Sequence, residues 1–463
     1  MEANDGRKYI SESLKTPVRD ECDVLVVGGG AAGIMSALAA AKNGARTILV
    51  ESNTMLGGDM LSGGIVWLGF FNVYKPYNVA KKQLIKGVPE EVVKGLQKAG
   101  GSPGFYEDLG DLTQESVGTH VDREVMTDYL FSVMEEYGVK LYLKTTMSDI
   151  IKEGNEVKGI IIESKSGREA ILSKTVVDAS GDGDAAAKAG ASFKSIKDHC
   201  IGMAFGMGNI NLQTVLDFAR EKNILVHLAY GDKGSDKDKI IRLGFRIGNI
   251  KELQQLRLES GIHTSPCILS SHENEGTYIN GVNVEIGADG LDAEDLSKAI
   301  ISLRHSVFKS AEFLRKYVPG FENAYLNWTS PAPGVRRTRC IECEFEITPS
   351  HIEDGIIPSD TIGLYGTQDA HYLGYEVKGG AWYGIPYRAL LPKHVENLLV
   401  VGRMLSSDFV AHMSTRLIGA CFLQGQAAGT AAALAAKIGV TPRNLDVPML
   451  QRTLKKDGVF LGD

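Results

Sequence analysis

The segment Asp23–Glu51, DVLVVGGGAAGIMSALAAAKNGARTILVE, constrains this chain more than any other stretch. Val24–Val27 is a short apolar run suited to a buried parallel strand, and Gly28, Gly30 and Gly33 follow without a spacer in G-x-G-x-x-G register. In the order strand, tight turn, helix, each glycine has its own task. Gly28 allows the turn, Gly30 lets backbone N–H groups approach a pyrophosphate with no Cβ in the way, and Gly33 lets the helix pack close to the strand. A helix from Ala32 to Asn43 then aims its positive end at the phosphates, and Gly44 caps it. Thr47–Val50 reads as a second strand ending in Glu51, the acidic residue placed to take ribose hydroxyls. A lone glycine triplet is weak evidence, but five parts in order agree on gripping a dinucleotide.

A chain of 463 residues exceeds one comfortable core, and 43% hydrophobic residues with 53 glycines suit an α/β protein of two intertwined domains. Its 50 Lys+Arg against 57 Asp+Glu give a net charge of −7, which is no electrostatic footprint for nucleic acid or an acidic membrane. The opening MEANDGRKYISESLKTPVRDE is polar and mixed in charge, with no apolar core of a secretory signal, so the cytoplasm is the expected compartment. Leu417–Ala436 carries no charge and is long enough to span a bilayer, yet Gln424, Gln426, Thr430 and its many Ala and Gly residues keep it weakly apolar. A buried helix is expected there, with no membrane. Gly425, Ala428 and Gly429 recur at helical spacing and should give it a face smooth enough to approach a strand or a flat ring.

Metal and thiol chemistry find little support. Of six cysteines only Cys340 and Cys343 have C-x-x-C spacing, and they lie in an alternating stretch where positions three apart point to opposite faces, as packed thiols do. No H-E-x-x-H or second C-x-x-C occurs. VVDASGDGD resembles the first half of a calcium loop, but Ala189 stands where the bidentate Glu belongs, so no metal is expected. More telling is what surrounds that motif. Val157–Glu163 and Ala170–Leu172 read as a hairpin around SKSG, and Thr175–Val177 as a buried strand returning to the dinucleotide domain. Asn397–Gly402 reads as a second return, followed by Arg403 and the long helical run.

The segments DVLVVGGGAAG, LVESNTMLGGDM, VVDASGDGDAAAKAGA, PGVRRTR, WYGIPYRALLP, NLLVVGRMLSSDFVAH and CFLQGQAAGTAAALAAKIG together resemble the FAD-dependent oxidoreductases of the glutathione-reductase structural type. They run from residue 23 to about 440, with little recognisable pattern between about 200 and 325. The resemblance implies a Rossmann-like, doubly wound α/β FAD-binding domain with an inserted α+β substrate domain. The FAD-binding domain would take 18–190, with a lid-like insertion at about 60–112, and 372–463; the substrate domain would take 191–371. It implies that Gly28, Gly30, Ala31, Ala32, Gly33, Glu51, Ser52 and Asn53 hold the ADP half of FAD. Gly57, Gly58, Asp59 and Met60 would lie along the flavin, and Ala179, Gly181 and Asp182 would close over the cofactor. Gly402 and Arg403 would hold the ribityl and diphosphate region, and the helix after Arg416 would turn its positive end to the flavin pyrimidine.

Flavin chemistry also needs an acid or base and a cation near N5. The candidates are His412, Arg416, Arg388 in IPYRALLP and His371, with Arg336 either clamping substrate or bracing a domain interface. Phe409 and Val410 stand where the family pattern has His and an acidic residue, which points to a different substrate or proton route. His120 reads as a neighbour of a helix cap, and His199 is a remote candidate. The implied activity is hydride transfer at flavin N5, dehydrogenating a C–OH or C–N bond or reducing an activated C=C bond of a small polar metabolite. No second nucleotide-binding unit follows Glu51, so an external electron donor or acceptor is the expected partner, and a homo-oligomer is compatible with the sequence. Two alternatives share the scaffold. A thiazole-forming protein with an NAD-derived ligand is opposed by the IPYR and GQAAG segments, and an RNA-modifying flavoprotein by the net charge.

Overall fold

The computed structural model describes residues 10–69, 82–107, 117–197, 200–233, 236–262, 268–272, 276–285, 287–366 and 382–462. Its first sheet is built on Val18–Val27 (β1), whose last four residues are buried on both faces, as befits a central parallel strand. The helix Ala31–Lys42 (α1) follows, then Thr47–Val50 (β2), Lys140–Tyr142 (β3), Thr146–Glu153 (β4), Glu156–Ser164 (β5), Gly167–Asp178 (β6) and Leu398–Val400 (β7). The order across the sheet is β3-β2-β1-β6-β5-β4, with β7 also on β6. Pairing is parallel from β3 through β2 and β1 to β6 and from β6 to β7, and antiparallel in the β4-β5-β6 ribbon.

Two expected strands, 170–172 and 175–177, are one. Ser173 and Lys174 interrupt the apolar pattern, but β1 pairs alongside from Ala170 to Asp178 and keeps the strand continuous. On its other edge β6 exchanges partners, leaving β5 after Leu172 and taking β7 from Val176. The C-terminal helical run is one helix, Ile418–Ile438 (α3), and a short helix before it, Phe409–Thr415 (α2), meets it at 80°. No single described helix is long and apolar enough to cross a membrane; this bent pair passes on length and composition only when taken together.

The glycines of the smooth face of α3 meet a helix. A Cβ on Gly425 would stand 2.2 Å from the carbonyl oxygen of Ala32, and one on Gly429 2.1 Å from that of Ser36, so α3 is pressed backbone to backbone onto α1. The Ser36 hydroxyl bridges the crossing through Ala32 O at 2.9 Å and Gly425 O at 3.1 Å. Small residues permit this approach because nothing projects between the axes.

The second body is α+β. Its antiparallel sheet runs Leu225–Lys233, Asp236–Phe245, Ile268–His272, Gly276–Glu285, Ile201–Gly208, Tyr325–Thr329, with Gly334–Val335 also on Ile201–Gly208. The strand IGMAFGMG alternates cleanly. Ile201, Met203, Phe205 and Met207 enter a core with Leu303, Val307 and Leu314 of the helix Ala293–Tyr317. Gly206 and Gly208 lie on the other face, where Trp328 and Tyr325 take the space. This core ends at Val335, whereas Ile347, Ile352, Ile362 and Tyr365 belong to the first core. The cores therefore divide near residue 336 and not at 371.

Within the stretch at about 60–112, expected as a lid-like insertion, the described helix belongs to the first core. Helix Val88–Lys98 buries Val92, Val93 and Leu96 in the core that holds α1 and α3, because its apolar residues fall on one face. Residues 70–81 and 108–116 lie outside the described residues. From the same insertion Trp67 reaches the second body, with the Arg242 guanidinium 3.5 Å above its ring.

Candidate cofactor and active site

The carboxyl ends of β1, β2, β6 and β7 finish side by side, with Val27 level with Val50 and Asp178, and Asp178 level with Val400. Gly28 turns there at φ +96°, donating its N–H to Val50 O at 2.8 Å, and a Cβ on it would lie 2.5 Å from Ala179 O. A Cβ on Gly33 would lie 1.8 Å from Gly28 O, so the helix can sit this close to the turn only as glycine. Around Gly30 there is no protein atom within 4 Å of the Cβ position, and the N-terminus of α1 has no side-chain cap. An open glycine beside uncapped N–H groups fits an approaching diphosphate. Glu51 is buried and braced: Oε2 accepts from Gly29 N at 2.7 Å, and Oε1 from Asn53 N at 2.7 Å and Asn53 Nδ2 at 2.9 Å.

Asp178 closes β6 and shapes the acidic loop after it. Its Oδ1 accepts from Ser180 N at 3.0 Å and Ser180 Oγ at 2.7 Å, and Oδ2 from Ala186 N at 2.8 Å. Burial pushes its carboxyl up to about 6 against those donors. Of the aspartates that resembled a calcium loop, Asp178 is thus turned to the loop's own backbone, while Asp182 and Asp184 pair with Arg403 and Arg339. Asp178→Asn keeps the shape but sets an amide donor against the Ala186 N–H; we expect a loss of about 2 kcal/mol, read from denaturant midpoints.

Arg403 directly follows Gly402, whose N–H donates to Gln424 Oε1 at 2.8 Å, and it bridges the cleft. Its Nη2 lies 2.8 Å from Asp182 Oδ1 and its Nη1 3.3 Å from Asp59 Oδ2. Burial acts to lower the guanidinium, but Asp182 and Asp59 outweigh it and raise it above its usual value. Burial in turn raises Asp59, with Arg403 opposing. Thr338 Oγ1 donates to Asp182 Oδ1 at 2.6 Å, and Arg339 Nη1 to Asp182 O at 2.8 Å, so the segment leaving the second body is fastened to the same loop.

Together these parts line a cleft of about 430 Å³. Every cofactor residue expected from the sequence lines it except Gly33 and Gly57, which support it from behind: Gly57 donates its N–H to Gly29 O at 2.7 Å. Among the lining residues missed were Thr145, Thr146 and Met147, which follow β3, and Leu296, Ala332, Pro333 and Val335 from the second body. The first group follows the third parallel strand, a signal that three residues, Lys140–Tyr142, make too short to read. The second depends on tertiary placement alone.

The catalytic candidates separate. Arg416 lines the cleft at the joint between α2 and α3. His412 is fully buried on α2 with Nε2 3.3 Å from Arg336 O, and is not among the lining residues. Arg388 is held elsewhere, paired through Nε with Asp360 Oδ2 at 2.9 Å and through Nη2 with Oδ1 at 3.2 Å, its side chain half exposed over the Phe345 ring. His371 and His199 lie outside the described residues. Cys340 and Cys343 are buried and free, with Cys340 Sγ donating to Ser407 O at 3.4 Å. Among the described residues no cluster of His, Cys, Asp or Glu could hold a metal ion.

The family model described as FAD dependent oxidoreductase matches residues 23–454. Among curated proteins the chain is similar to the thiamine thiazole synthase of Aeropyrum pernix, 31% identical over 151 residues, covering 32% of this chain and 46% of that protein. It is similar to the digeranylgeranylglycerophospholipid reductase of Thermoplasma volcanium, 28% identical over 168 residues, 34% of this chain and 39% of the relative. Against the 3-oxosteroid 1-dehydrogenase of Mycolicibacterium smegmatis it is 33% identical over 150 residues, 31% and 23% of the two chains. The matches thus span less than half of each relative. Among solved structures, Aquifex aeolicus GidA has a TM-score of 0.47 at 16% identity, covering 91% of this chain and 65% of that one. A geranylgeranyl bacteriochlorophyll reductase-like protein from Thermoplasma acidophilum has a TM-score of 0.46 at 13% identity, covering 94% and 83%.

Proposed function

The chain belongs to the FAD dependent oxidoreductase family, and from that premise we propose that it oxidises or reduces a small polar metabolite beside FAD held in this cleft. The reaction class is dehydrogenation of a C–OH or C–N bond, or reduction of an activated C=C bond. When bound, FAD supplies the hydride-accepting and hydride-donating centre at N5. The observation that carries the reading is the continuity of the cleft from the Gly28–Gly33 turn to Arg416 and to the wall formed by Ala332, Pro333 and Val335 of the second body. The turn and α1 would hold the diphosphate and Glu51 the ribose.

At the far end Arg416 is the group offered to a substrate carboxylate or carbonyl. His412, enclosed against Arg336 O, holds the wall from which Val335 projects. The second sheet is antiparallel throughout the described residues and offers no second dinucleotide grip, so the donor or acceptor of electrons comes from outside and meets the same flavin.

Purified protein should be yellow, and anaerobic bleaching by candidate metabolites, followed by re-oxidation with candidate acceptors, identifies both partners. Arg416→Ala should raise KM for an anionic substrate on the order of ten- to a hundredfold with FAD retained. A colourless preparation that takes up no FAD, or releases only nicotinamide-derived adenylates, overturns the reading.

A further inference from the structure

Gln424 is fully buried in the second turn of α3, and both ends of its carboxamide are used. Its Oε1 accepts from Gly402 N at 2.8 Å, and its Nε2 donates to Thr415 O at 2.8 Å. Gly402, at φ +93°, ends the approach of β7 and precedes Arg403, which grips Asp59 and Asp182. Thr415 ends α2, immediately before Arg416 and the 80° bend into α3. One neutral side chain thus spans from one wall of the cleft to the other, joining Gly402 and Arg403 to Arg416, Ile418 and Cys421. Among uncharged side chains of this length only a carboxamide offers adjacent donor and acceptor atoms.

We propose that Gln424 is a positioning residue that sets how the start of α3 faces the cofactor and thereby tunes the flavin potential. This rests on the FAD reading above. Leu417, the N-cap of α3, makes no side-chain cap bond, so the first N–H groups of a 21-residue helix keep their positive end toward the cleft that Ile418 and Cys421 line. That end favours the extra negative charge of a reduced ring. The Gln424 donor also satisfies Thr415 O, which would otherwise turn an unpaired carbonyl toward the bend.

Gln426 provides the control. It lies two residues on, equally buried, but its Oε1 takes Val88 N at 3.2 Å, away from the cleft. In FAD-loaded protein, Gln424→Met should weaken binding of reduced relative to oxidised FAD about tenfold, a fall of about 30 mV for a two-electron couple. Gln426→Met should leave the potential at the parental value while losing comparable stability. If Gln424→Met does not fold, Gln424→Asn, which keeps a neutral carboxamide too short to hold both Gly402 N and Thr415 O, is read the same way. A parental potential in the folded Gln424 variant overturns the inference and leaves the FAD reading intact, whereas a parent that binds no FAD removes both.

Discussion

Gly30→Ala is expected to abolish FAD retention while leaving folding stability within about 1 kcal/mol of the parent, and Gly33→Ala to lose both. The two glycines share one motif but stand in opposite surroundings. At Gly30 the backbone is extended, at φ −73° and ψ −172°, and the added methyl finds no protein atom within 4 Å. The small penalty for Ala at a helix N-cap and the entropic benefit of removing a glycine largely cancel. What the methyl fills is cleft, in front of the N–H groups of α1.

At Gly33 the methyl would stand 1.8 Å from Gly28 O and 3.2 Å from the Ala179 side chain. Backbone cannot step aside as a flexible side chain does. Either α1 lifts from β1, which its crossing with α3 at Gly425 and Gly429 resists, or the Gly28 turn opens. We expect about 2 to 3 kcal/mol of destabilisation despite the better helix propensity of alanine. Denaturant midpoints of the apoproteins and FAD titrations by flavin fluorescence separate the cases. Parental FAD affinity in Gly30→Ala would show that the diphosphate does not approach there.

The parts of the site that were legible in the sequence are local. A strand, a turn whose glycines each have a steric reason, and a strand ending in Glu51 lie within 29 residues, and their order alone specifies the crossing of α1 over β1 and β2. Asp182, Gly402 and Arg403 were legible through resemblance, because each follows the carboxyl end of a strand that returns to the sheet. What was not legible depends on distant groups meeting. Gln424 reads as a mere polar interruption in an apolar helix until Gly402 and Thr415 are seen at its two ends. Arg388 looks like an anion clamp until Asp360, 28 residues earlier, is found to occupy its fork. The glycine stripe of α3 announces close packing but not with what, since α1 lies nearly four hundred residues upstream in the chain. The bend at Arg416 has no proline or glycine to announce it, and yet it brings an arginine to the cleft.

Arg403→Met should weaken FAD binding on the order of a hundredfold and destabilise the apoprotein by about 2 kcal/mol at neutral pH. The magnitude falls between two limits. The side chain of Arg403 is 18% exposed and those of Asp182 and Asp59 are 26% and 38% exposed, so this is neither a solvated surface pair nor a sealed one. With the guanidinium gone, two carboxylates face each other across the cleft with no cation between them. The destabilisation should also acquire a pH dependence of definite sign. Burial already holds Asp59 above its usual range, and Arg403 is the chief group opposing that. Its removal raises Asp59 further, so the folded variant binds that proton more tightly than the unfolded chain does. Such a group is least costly below its unfolded pKa and becomes increasingly unfavourable as pH rises through the raised folded value. The stability gap between Arg403→Met and the parent should therefore be widest near pH 8 and narrow toward pH 5. Arg403→Lys, which keeps the charge but not the fork, should fall between them and show less of the pH dependence. A gap equal at both pH values would mean that Arg403 acts by packing and not through the carboxylates it bridges.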